Sequence, residues 1–231
     1  LLKRMQKPSA ILFDLDGTLV DSVSDLADAV NLALSDFGLP VRNIEQIRSW
    51  IGNGAEKLLV RAICGIEIVD TTRSELQFLE FDELYTAFKK YYSKRVFESS
   101  QLYPGVRETL QSLGDHDIRL AVVTNKPVLL AEKLLTEAGL RSFFSVVVGG
   151  DSLAVKKPDP GPLVYACAQL SVSIDQTVMV GDSASDIGAA NAIGMPILAA
   201  SWGYTQGLDL TKANVTAIIR RFTEIPALVG L

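Results

Sequence analysis

The chain has 231 residues, of which 22 are Lys or Arg and 27 are Asp or Glu, so its formal net charge is −5. Its single histidine, His116, and its two cysteines, Cys64 and Cys167, exclude a multi-histidine metal site, an iron–sulfur cluster and a disulfide scaffold. The negative net charge argues against sequence-independent nucleic-acid binding, which depends on Lys and Arg side chains that neutralise phosphates.

The first predicted element in chain order is a buried strand at residues 10–13, which runs into the acidic loop 14–18. Apolar residues at helical spacing then predict a helix over residues 26–37, ended by Gly38. No strand is predicted between residues 22 and 100, which indicates an all-helical cap inserted after the first strand. The remaining predicted helices of this block are 44–51, 55–63 and 75–97, with a break at Gly52-Asn53-Gly54.

After residue 104 the pattern changes to short apolar strands that alternate with helices. This alternation is typical of a parallel sheet with right-handed crossovers and helices on both faces. We therefore predict an α/β fold with a Rossmann-like core formed by residues 1–20 and 101–231, and a helical cap formed by residues 21–100. The predicted strands are 120–123, 144–148, 177–180, 196–200 and 217–219, and the predicted helices are 106–113, 129–138, 162–170, 185–193 and 225–229.

Four groups of polar residues lie directly after, or between, these predicted strands. The carboxyl ends of parallel strands meet at one edge of a sheet, so the four groups are expected to share one crevice. Carboxylates that meet there repel one another unless a cation lies among them, and a set of oxygen ligands suits Mg²⁺. A hydroxyl and a lysine beside them would complete a site for a phosphoryl group. The residues concerned are Asp14, Asp16, Thr124, Asn125, Lys157, Asp182 and Asp186.

Each of these groups also has an ordinary structural explanation when it is considered alone. Residues 14–18 could form a turn capped by Asp side chains, and Thr124 with Asn125 could cap the next helix. Residues 156–158 could be a solvated loop, and residues 181–186 could be a turn followed by an N-cap. The occurrence of all four groups at one edge of the sheet is what favours a functional site.

Residues 14–22, DLDGTLVDS, resemble the first signature of the haloacid dehalogenase-like hydrolase superfamily. Thr124, Lys157 in the segment KPDP, and residues 181–186, GDSASD, are similar to its other three signatures in the same order, and the resemblance covers nearly the whole chain. Within the superfamily, residues 50–55 (WIGNGA) and 124–127 (TNKP) resemble bacterial phosphoglycolate phosphatases.

The resemblance implies a mechanism in which Asp14 attacks phosphorus to form an aspartyl-phosphate. Asp16 would protonate the leaving alkoxide and later activate water. Thr124 and Lys157 would hold the phosphoryl oxygens, and Asn125 would contribute its backbone N–H. The expected reaction is hydrolysis of a small phosphomonoester, with 2-phosphoglycolate giving glycolate and phosphate as the leading case.

The same resemblance implies that Mg²⁺ is held by the Asp14 carboxylate, the Asp16 backbone carbonyl and Asp182. Asp186 would orient the waters of the metal. In the cap, Gly52, Asn53 and Gly54 are the candidate substrate-binding loop, although an ordinary turn between two helices explains the same residues. Arg48 and Lys57 flank this loop and could meet a substrate carboxylate or be solvated helix charges.

Two alternatives remain open at this point. The first is a sugar-phosphate phosphatase or phosphomutase of the same superfamily. The second, from a different class, is a signalling receiver module phosphorylated on Asp, which would lack Asp16 as an acid and would not need the cap.

The expected partner is a small phosphorylated metabolite, with no nucleic acid and no membrane, and the protein is expected to be a monomer or a homodimer. Cys64 and Cys167 are expected to be buried and free, which together with the lack of a secretory signal predicts a cytoplasmic location.

Overall fold

The computed structural model describes residues 5–66 and 81–231. The described strands are β1 (Ala10–Phe13), β2 (Val20–Asp21), β3 (Gln101–Leu102), β4 (Arg119–Val123), β5 (Val146–Val148), β6 (Thr177–Gly181), β7 (Ile197–Ala200) and β8 (Ala217–Ile219). The described helices are α1 (Val23–Asp36), α2 (Ile44–Trp50), α3 (Ala55–Cys64), α4 (Phe81–Arg95), α5 (Val106–Asp115), α6 (Val128–Glu137), α7 (Gly161–Leu170), α8 (Ala184–Ala192) and α9 (Ile225–Leu228).

Six strands form one parallel sheet in the order β5-β4-β1-β6-β7-β8. All four residues of β1 are fully buried, because both faces of the sheet are covered. Ile11 and Phe13 pack on the face covered by α5, α6 and α9, whereas Ala10 and Leu12 pack on the face covered by α7 and α8. The predicted α/β fold, with helices on both faces of a parallel sheet, is confirmed.

Helices α1 to α4 lie between β2 and β3, which pair antiparallel with Val20 opposite Leu102. The chain therefore leaves the core and returns to it at adjacent points. The sequence did not predict these two strands, because a strand of two residues shows no periodicity. Among the described residues between 22 and 100 no strand occurs, as predicted. The first six residues of the predicted helix 75–97 lie outside the described residues, and the proposed domain boundaries stay a prediction.

The helices of this block pack through apolar faces that are continuous with one face of the sheet. Leu26 and Val30 of α1 join the same buried cluster as Phe88 and Tyr92 of α4. The Phe88 and Tyr92 rings stack with centroids 5.9 Å apart, so the aromatic side chains of α4 form part of the interior. No helix in the described part of the chain is both long and apolar enough to span a bilayer.

One of the two cysteines is buried as predicted and the other is not. Cys167 is buried on α7, whereas Cys64 is exposed, so the prediction for Cys64 is wrong. Cys64 is the last residue of α3, and the buried face of that helix runs through Leu59 and Ile63. His116 is exposed at the end of α5, as its polar surroundings predict.

Candidate active site

The parallel ladders place the polar groups of the sequence at one edge of the sheet. Phe13 pairs with Val180, and the next residue, Asp14, donates its backbone N–H to the Val180 carbonyl at 2.9 Å. On the other side of β1, the Thr124 backbone N–H donates to the Val148 carbonyl at 2.9 Å. The ends of β1, β4 and β6 therefore bring Asp14, Thr124 and Asp182 into one crevice.

Three buried carboxylates form a cluster in this crevice. Asp14, Asp182 and Asp186 each offer an oxygen, and these oxygens all lie within 4.8 Å of one another. The Lys157 Nζ atom contacts two of them, at 2.9 Å from Asp14 Oδ1 and 2.6 Å from Asp186 Oδ1, and it also donates to the Val123 carbonyl at 2.5 Å. One ammonium faces three carboxylates, so the cluster is strongly receptive to a further cation.

Burial and neighbouring charges shift the pKa values of the groups in this cluster. Burial raises the pKa of Asp14 to about 6, although the adjacent Lys157 ammonium lowers it. Burial, followed by the charges of Asp14 and Asp186, raises the pKa of Asp182 well above its usual range. Burial lowers the pKa of Lys157, but the charges of Asp14 and Asp186 outweigh this effect and raise it overall. Perturbed groups in a cleft are typical of functional sites.

Local hydrogen bonds fix the other two members of the cluster. Thr18 Oγ1 donates to Asp182 Oδ1 at 2.6 Å, and the Tyr204 backbone N–H donates to Asp182 Oδ2 at 2.5 Å. Asp186 Oδ2 accepts from the backbone N–H of Ser183 at 3.0 Å and from its hydroxyl at 2.6 Å. The first of these bonds, together with the Asp186 backbone N–H that donates to Ser183 Oγ at 3.3 Å, forms the capping box of α8. The N-cap explanation of residues 181–186 is therefore correct, and the same residues also build the acidic cluster.

Gly17 permits this close packing. Its φ is +87°, and a Cβ at this position would collide with the Asp182 carboxylate and lie 2.9 Å from the Tyr204 ring. Any larger residue would therefore push Asp182 away from the other carboxylates.

The donor set fits a hard divalent cation. Buried carboxylate oxygens at this mutual spacing are the ligands that Mg²⁺ prefers in proteins, and the single neighbouring ammonium leaves the cluster negative. The Asp16 side chain lies outside this cluster. Of the four residues predicted to hold the metal, the structure therefore brings together the carboxylates of Asp14, Asp182 and Asp186, and leaves the backbone carbonyl as the expected contribution of Asp16.

The Asp16 carboxylate is instead held by Ser22 and Lys126. Ser22 Oγ donates to Asp16 Oδ1 at 2.5 Å, and the Lys126 Nζ atom lies 3.0 Å from both Asp16 oxygens. Burial lowers the pKa of Lys126, but the Asp16 charge outweighs this effect and raises it to about 12. The sequence analysis assigned no role to Lys126. The available signal was a basic residue that follows the polar pair Thr124 and Asn125 at the end of a strand.

One of the ordinary structural explanations is wrong, and another holds only in part. Thr124 and Asn125 do not cap α6, whose N-cap residue is Pro127 and has no side-chain cap. Instead, the Asn125 amide donates to the Lys157 carbonyl at 2.9 Å and to the Gly52 carbonyl at 3.1 Å. Residues 156–158 do form a loop in which Pro158 is exposed, but the Lys157 side chain is buried, with only 3% of its surface exposed.

The loop at residues 51–54 closes over the crevice through core side chains. Besides the Asn125–Gly52 bond, the Asn53 amide donates to Ser185 Oγ at 3.1 Å, and the Gln206 amide donates to the Ile51 carbonyl. The Asn53 side chain is therefore directed to α8, whereas Gly52 and Gly54 line the cavity beneath. This loop is one contact between the helical block and the sheet edge at the candidate site.

The flanking charges lie away from this cavity. Arg48 pairs with Asp21 at 3.6 Å and with Glu45 at 3.7 Å, and Lys57 is exposed. Neither is among the described residues that line the cavity, which favours their interpretation as helix charges.

A partly open cavity lies between the strand ends and the helical block. It is narrow, with about 40 Å³ of room. Polar groups of the core line one side, and apolar side chains of the helices line the other. The described lining residues are Asp14, Asp16, Leu26, Ile51, Gly52, Gly54, Ala55, Leu58, Phe88, Tyr92, Thr124, Asn125, Lys126, Pro127 and Leu130.

Replacing Asp182 by Asn is expected to stabilise the metal-free protein at neutral pH, because it removes like-charge repulsion among buried carboxylates. The substitution keeps the shape of the side chain and removes a buried charge that faces Asp14 and Asp186. The native pKa of Asp182 is raised, so the native state binds more protons than the unfolded chain, and wild-type stability falls as the pH rises through this window. The gain in the free energy of unfolding should therefore be larger at about pH 8 than at about pH 4.

Urea unfolding in the presence of a chelator measures this gain directly. Asp28→Asn, an exposed acidic residue on α1, is the matched control and should change stability little at either pH. An equal effect of Asp182→Asn at both pH values, or a loss of stability at neutral pH, would contradict the electrostatic interpretation of the cluster.

Comparison with known proteins agrees with the geometry. The family model described as "Haloacid dehalogenase-like hydrolase" matches residues 11–200. A phosphoglycolate phosphatase of Nitrosococcus oceani is 37% identical over 226 residues, covering 98% of both chains. A phosphoglycolate phosphatase of Colwellia psychrerythraea is 40% identical over 222 residues, covering 96% of this chain and 97% of the relative.

A solved structure shows the same fold. The crystal structure of a predicted phosphoglycolate phosphatase from Haemophilus somnus superposes with a TM-score of 0.86 at 37% identity, covering 96% of this chain and 98% of the other. The family model, the two relatives and this structure all extend over most of the chain. The chain therefore belongs to the haloacid dehalogenase-like hydrolases.

Proposed function

We propose that this hydrolase is a Mg²⁺-dependent phosphatase that converts 2-phosphoglycolate to glycolate and phosphate through an aspartyl-phosphate. The observation that carries the proposal is the buried cluster of Asp14, Asp182 and Asp186 with Lys157, placed beside a cavity between the strand ends and the helices. A phosphoryl group needs positive charge, an in-line nucleophile and a proton donor, and these residues and Asp16 supply them. The name shared by the relatives supports the same substrate.

In the first half-reaction, an oxygen of Asp14 attacks phosphorus, and the bond from phosphorus to the leaving oxygen breaks. Asp16 donates a proton to that leaving oxygen, so the product departs as an alcohol. Ser22 and Lys126 hold the Asp16 carboxylate in place for this transfer. Asp14 and Asp16 both line the cavity, which is the arrangement that a nucleophile and an acid acting on one bond require.

In the second half-reaction, Asp16 removes a proton from water, and the water oxygen attacks the same phosphorus. The bond between phosphorus and Asp14 breaks, which releases phosphate and restores the carboxylate. Thr124 and Lys157 hold phosphoryl oxygens through both steps, and the Asn125 backbone N–H adds a further donor. When bound to Asp14, Asp182 and the Asp16 backbone carbonyl, with Asp186 orienting its waters, Mg²⁺ supplies charge neutralisation for the phosphoryl group.

The narrow cavity supports a small substrate. Its room of about 40 Å³ lies between the strand ends and the helices, and apolar side chains of the helices bound it on one side. The loop 51–54 covers it from above, and in this proposal Gly52 and Gly54 present backbone groups to the substrate. Asn53 acts through its bond to Ser185, which keeps the loop closed and water out.

A phosphate-release screen over small phosphomonoesters tests the proposal. 2-Phosphoglycolate should give the highest kcat/KM, and both products should form in equal amounts. Phosphoryl migration to a second position of a sugar phosphate, without phosphate release, would favour the mutase alternative instead. Family membership argues against the receiver module, which would give a stable phosphoprotein without turnover.

Removal of the metal should silence the enzyme. After thorough chelation, phosphate release should fall to background, because three crowded carboxylates then repel both one another and the phosphoryl group. Added Mg²⁺ should restore activity, while Na⁺ at matched ionic strength should not. Activity that survives chelation, checked by metal analysis of the same sample, would remove the cation from the mechanism.

The cytoplasmic location and the choice between monomer and homodimer stay predictions.

A further inference from the structure

The charges of the cavity wall are distributed unevenly. Away from the acidic cluster, the helical side of the cavity consists of apolar side chains such as Leu26, Leu58 and Phe88. Among the described residues that line the cavity, Lys126 is the one cationic side chain. A carboxylate placed against the apolar side without a cation would lose its hydration with nothing in exchange, which costs several kcal/mol. Within the described part of the cavity wall, Lys126 is therefore the side chain that can neutralise an anionic leaving group.

Tyr92 provides a second donor at the same place. It is fully buried on α4, and its ring centroid lies 4.3 Å from the Lys126 Nζ atom. By distance and angle its hydroxyl makes no hydrogen bond with any residue that the structure describes, although the Lys126 ammonium is near enough to lower its pKa. Burial raises the pKa of Tyr92 to about 12, so the hydroxyl keeps its proton and remains a donor. A buried hydroxyl without a partner on a cavity wall indicates a polar ligand.

The Lys126 ammonium has donor capacity for such a ligand. It carries three N–H groups, and the two oxygens of Asp16 account for two of them. The remaining N–H and the Tyr92 hydroxyl come from different parts of the fold, since Lys126 follows β4 and Tyr92 lies on α4. A ligand atom that reaches both would connect the sheet edge to the helical block.

We infer that Lys126 and Tyr92 form a subsite for a carboxylate on the leaving group, so that the enzyme selects esters of 2-hydroxy acids. The inference rests on the proposed function and adds to it the residues that recognise the substrate. The carboxylate accepts from the Lys126 ammonium and from the Tyr92 hydroxyl, while the ester oxygen faces Asp16. The subsite exists only where α4 meets the loop after β4.

The test compares two esters of nearly equal size, 2-phosphoglycolate and its neutral amide, 2-phosphoglycolamide. The quantity measured is the ratio of their kcat/KM values in the wild type and in each variant. Tyr92→Phe removes one oxygen and should reduce the ratio roughly tenfold, and Lys126→Met should reduce it roughly a hundredfold. Lys126 also contacts Asp16, so Lys126→Met should slow both esters, and only the ratio reports on carboxylate recognition.

Two matched controls separate this effect from general changes. Tyr91→Phe removes a hydroxyl that donates to Asp36 at 2.7 Å, and Lys57→Met removes an exposed charge, so both should keep the wild-type ratio. If Lys126→Met does not fold, Tyr92→Phe alone still decides the question.

Three outcomes are distinct. A ratio that falls in the two variants and not in the controls supports the inference. A wild type that prefers 2-phosphoglycolate, with that preference unchanged in Tyr92→Phe and Lys126→Met, overturns the inference and leaves the proposed function standing. A wild type that hydrolyses both esters equally overturns the inference together with the proposed substrate.

Discussion

Asp14→Asn is expected to lower phosphate release from 2-phosphoglycolate by at least a factor on the order of 10⁴, because the nucleophile is lost. The fold should survive, since Asn has the same shape and the substitution removes one of three crowded buried charges. Lys157 keeps its contacts with Asp186 and the Val123 carbonyl. The loss should therefore appear in kcat and not in the free energy of unfolding.

The measurement is steady-state phosphate release, run with circular dichroism and urea unfolding on the same preparation. Assays should extend to high Mg²⁺ concentration, because Asp14 also belongs to the candidate metal site, and weak metal binding would be reversed there. Asp28→Asn on the exposed face of α1 is the control and should retain activity. Near-normal turnover of Asp14→Asn would refute its assignment as nucleophile.

Asp16→Ala is expected to lower kcat by a factor on the order of 10²–10⁴, since one residue serves as acid in the first step and as base in the second. A substrate with a good leaving group separates the role of Asp16 as an acid from its role as a base. With p-nitrophenyl phosphate, whose leaving group needs little protonation, the first step should be nearly normal and the second slow. The variant should therefore show a burst of p-nitrophenolate of about one equivalent, followed by slow turnover.

Rapid-mixing absorbance with p-nitrophenyl phosphate measures this burst. Asp16→Asn should behave in the same way, and it controls for the space that the Ala variant leaves beside Lys126. Variants that lose equal activity on both substrates and show no burst would indicate that Asp16 only orders the site.

The positions of the acidic residues could be predicted, because the end of each strand can be read from the sequence and the strand ends meet at one edge of the sheet. Short apolar runs mark β1, β4 and β6, and parallel pairing brings whatever follows them to one edge. Asp14, Thr124 and Asp182 lie where this reasoning places them. The sequence pattern also predicted the helical block, because its apolar residues follow the helical period over most of their length.

Other contacts could not be predicted, because they join residues far apart in the chain without any periodic signal. The bond from Asn53 to Ser185 spans 132 positions, and the ion pair of Lys126 with Asp16 spans 110. Tyr92 lies on the aromatic-rich helix α4, and nothing in the neighbouring sequence indicates that its hydroxyl lacks a hydrogen-bond partner. The proposed carboxylate subsite therefore lies in a part of the fold about which sequence periodicity says little.

The central claim is a covalent phosphate on Asp14. The most direct measurement is rapid mixing of Asp16→Ala with p-nitrophenyl phosphate, a quench with borohydride, and peptide mass spectrometry, because borohydride reduces an acyl phosphate to an alcohol. The mechanism predicts homoserine at position 14 in an amount that matches the burst, and Asp at positions 16, 182 and 186. Reduction at another of these positions, or a burst without any homoserine, would contradict it.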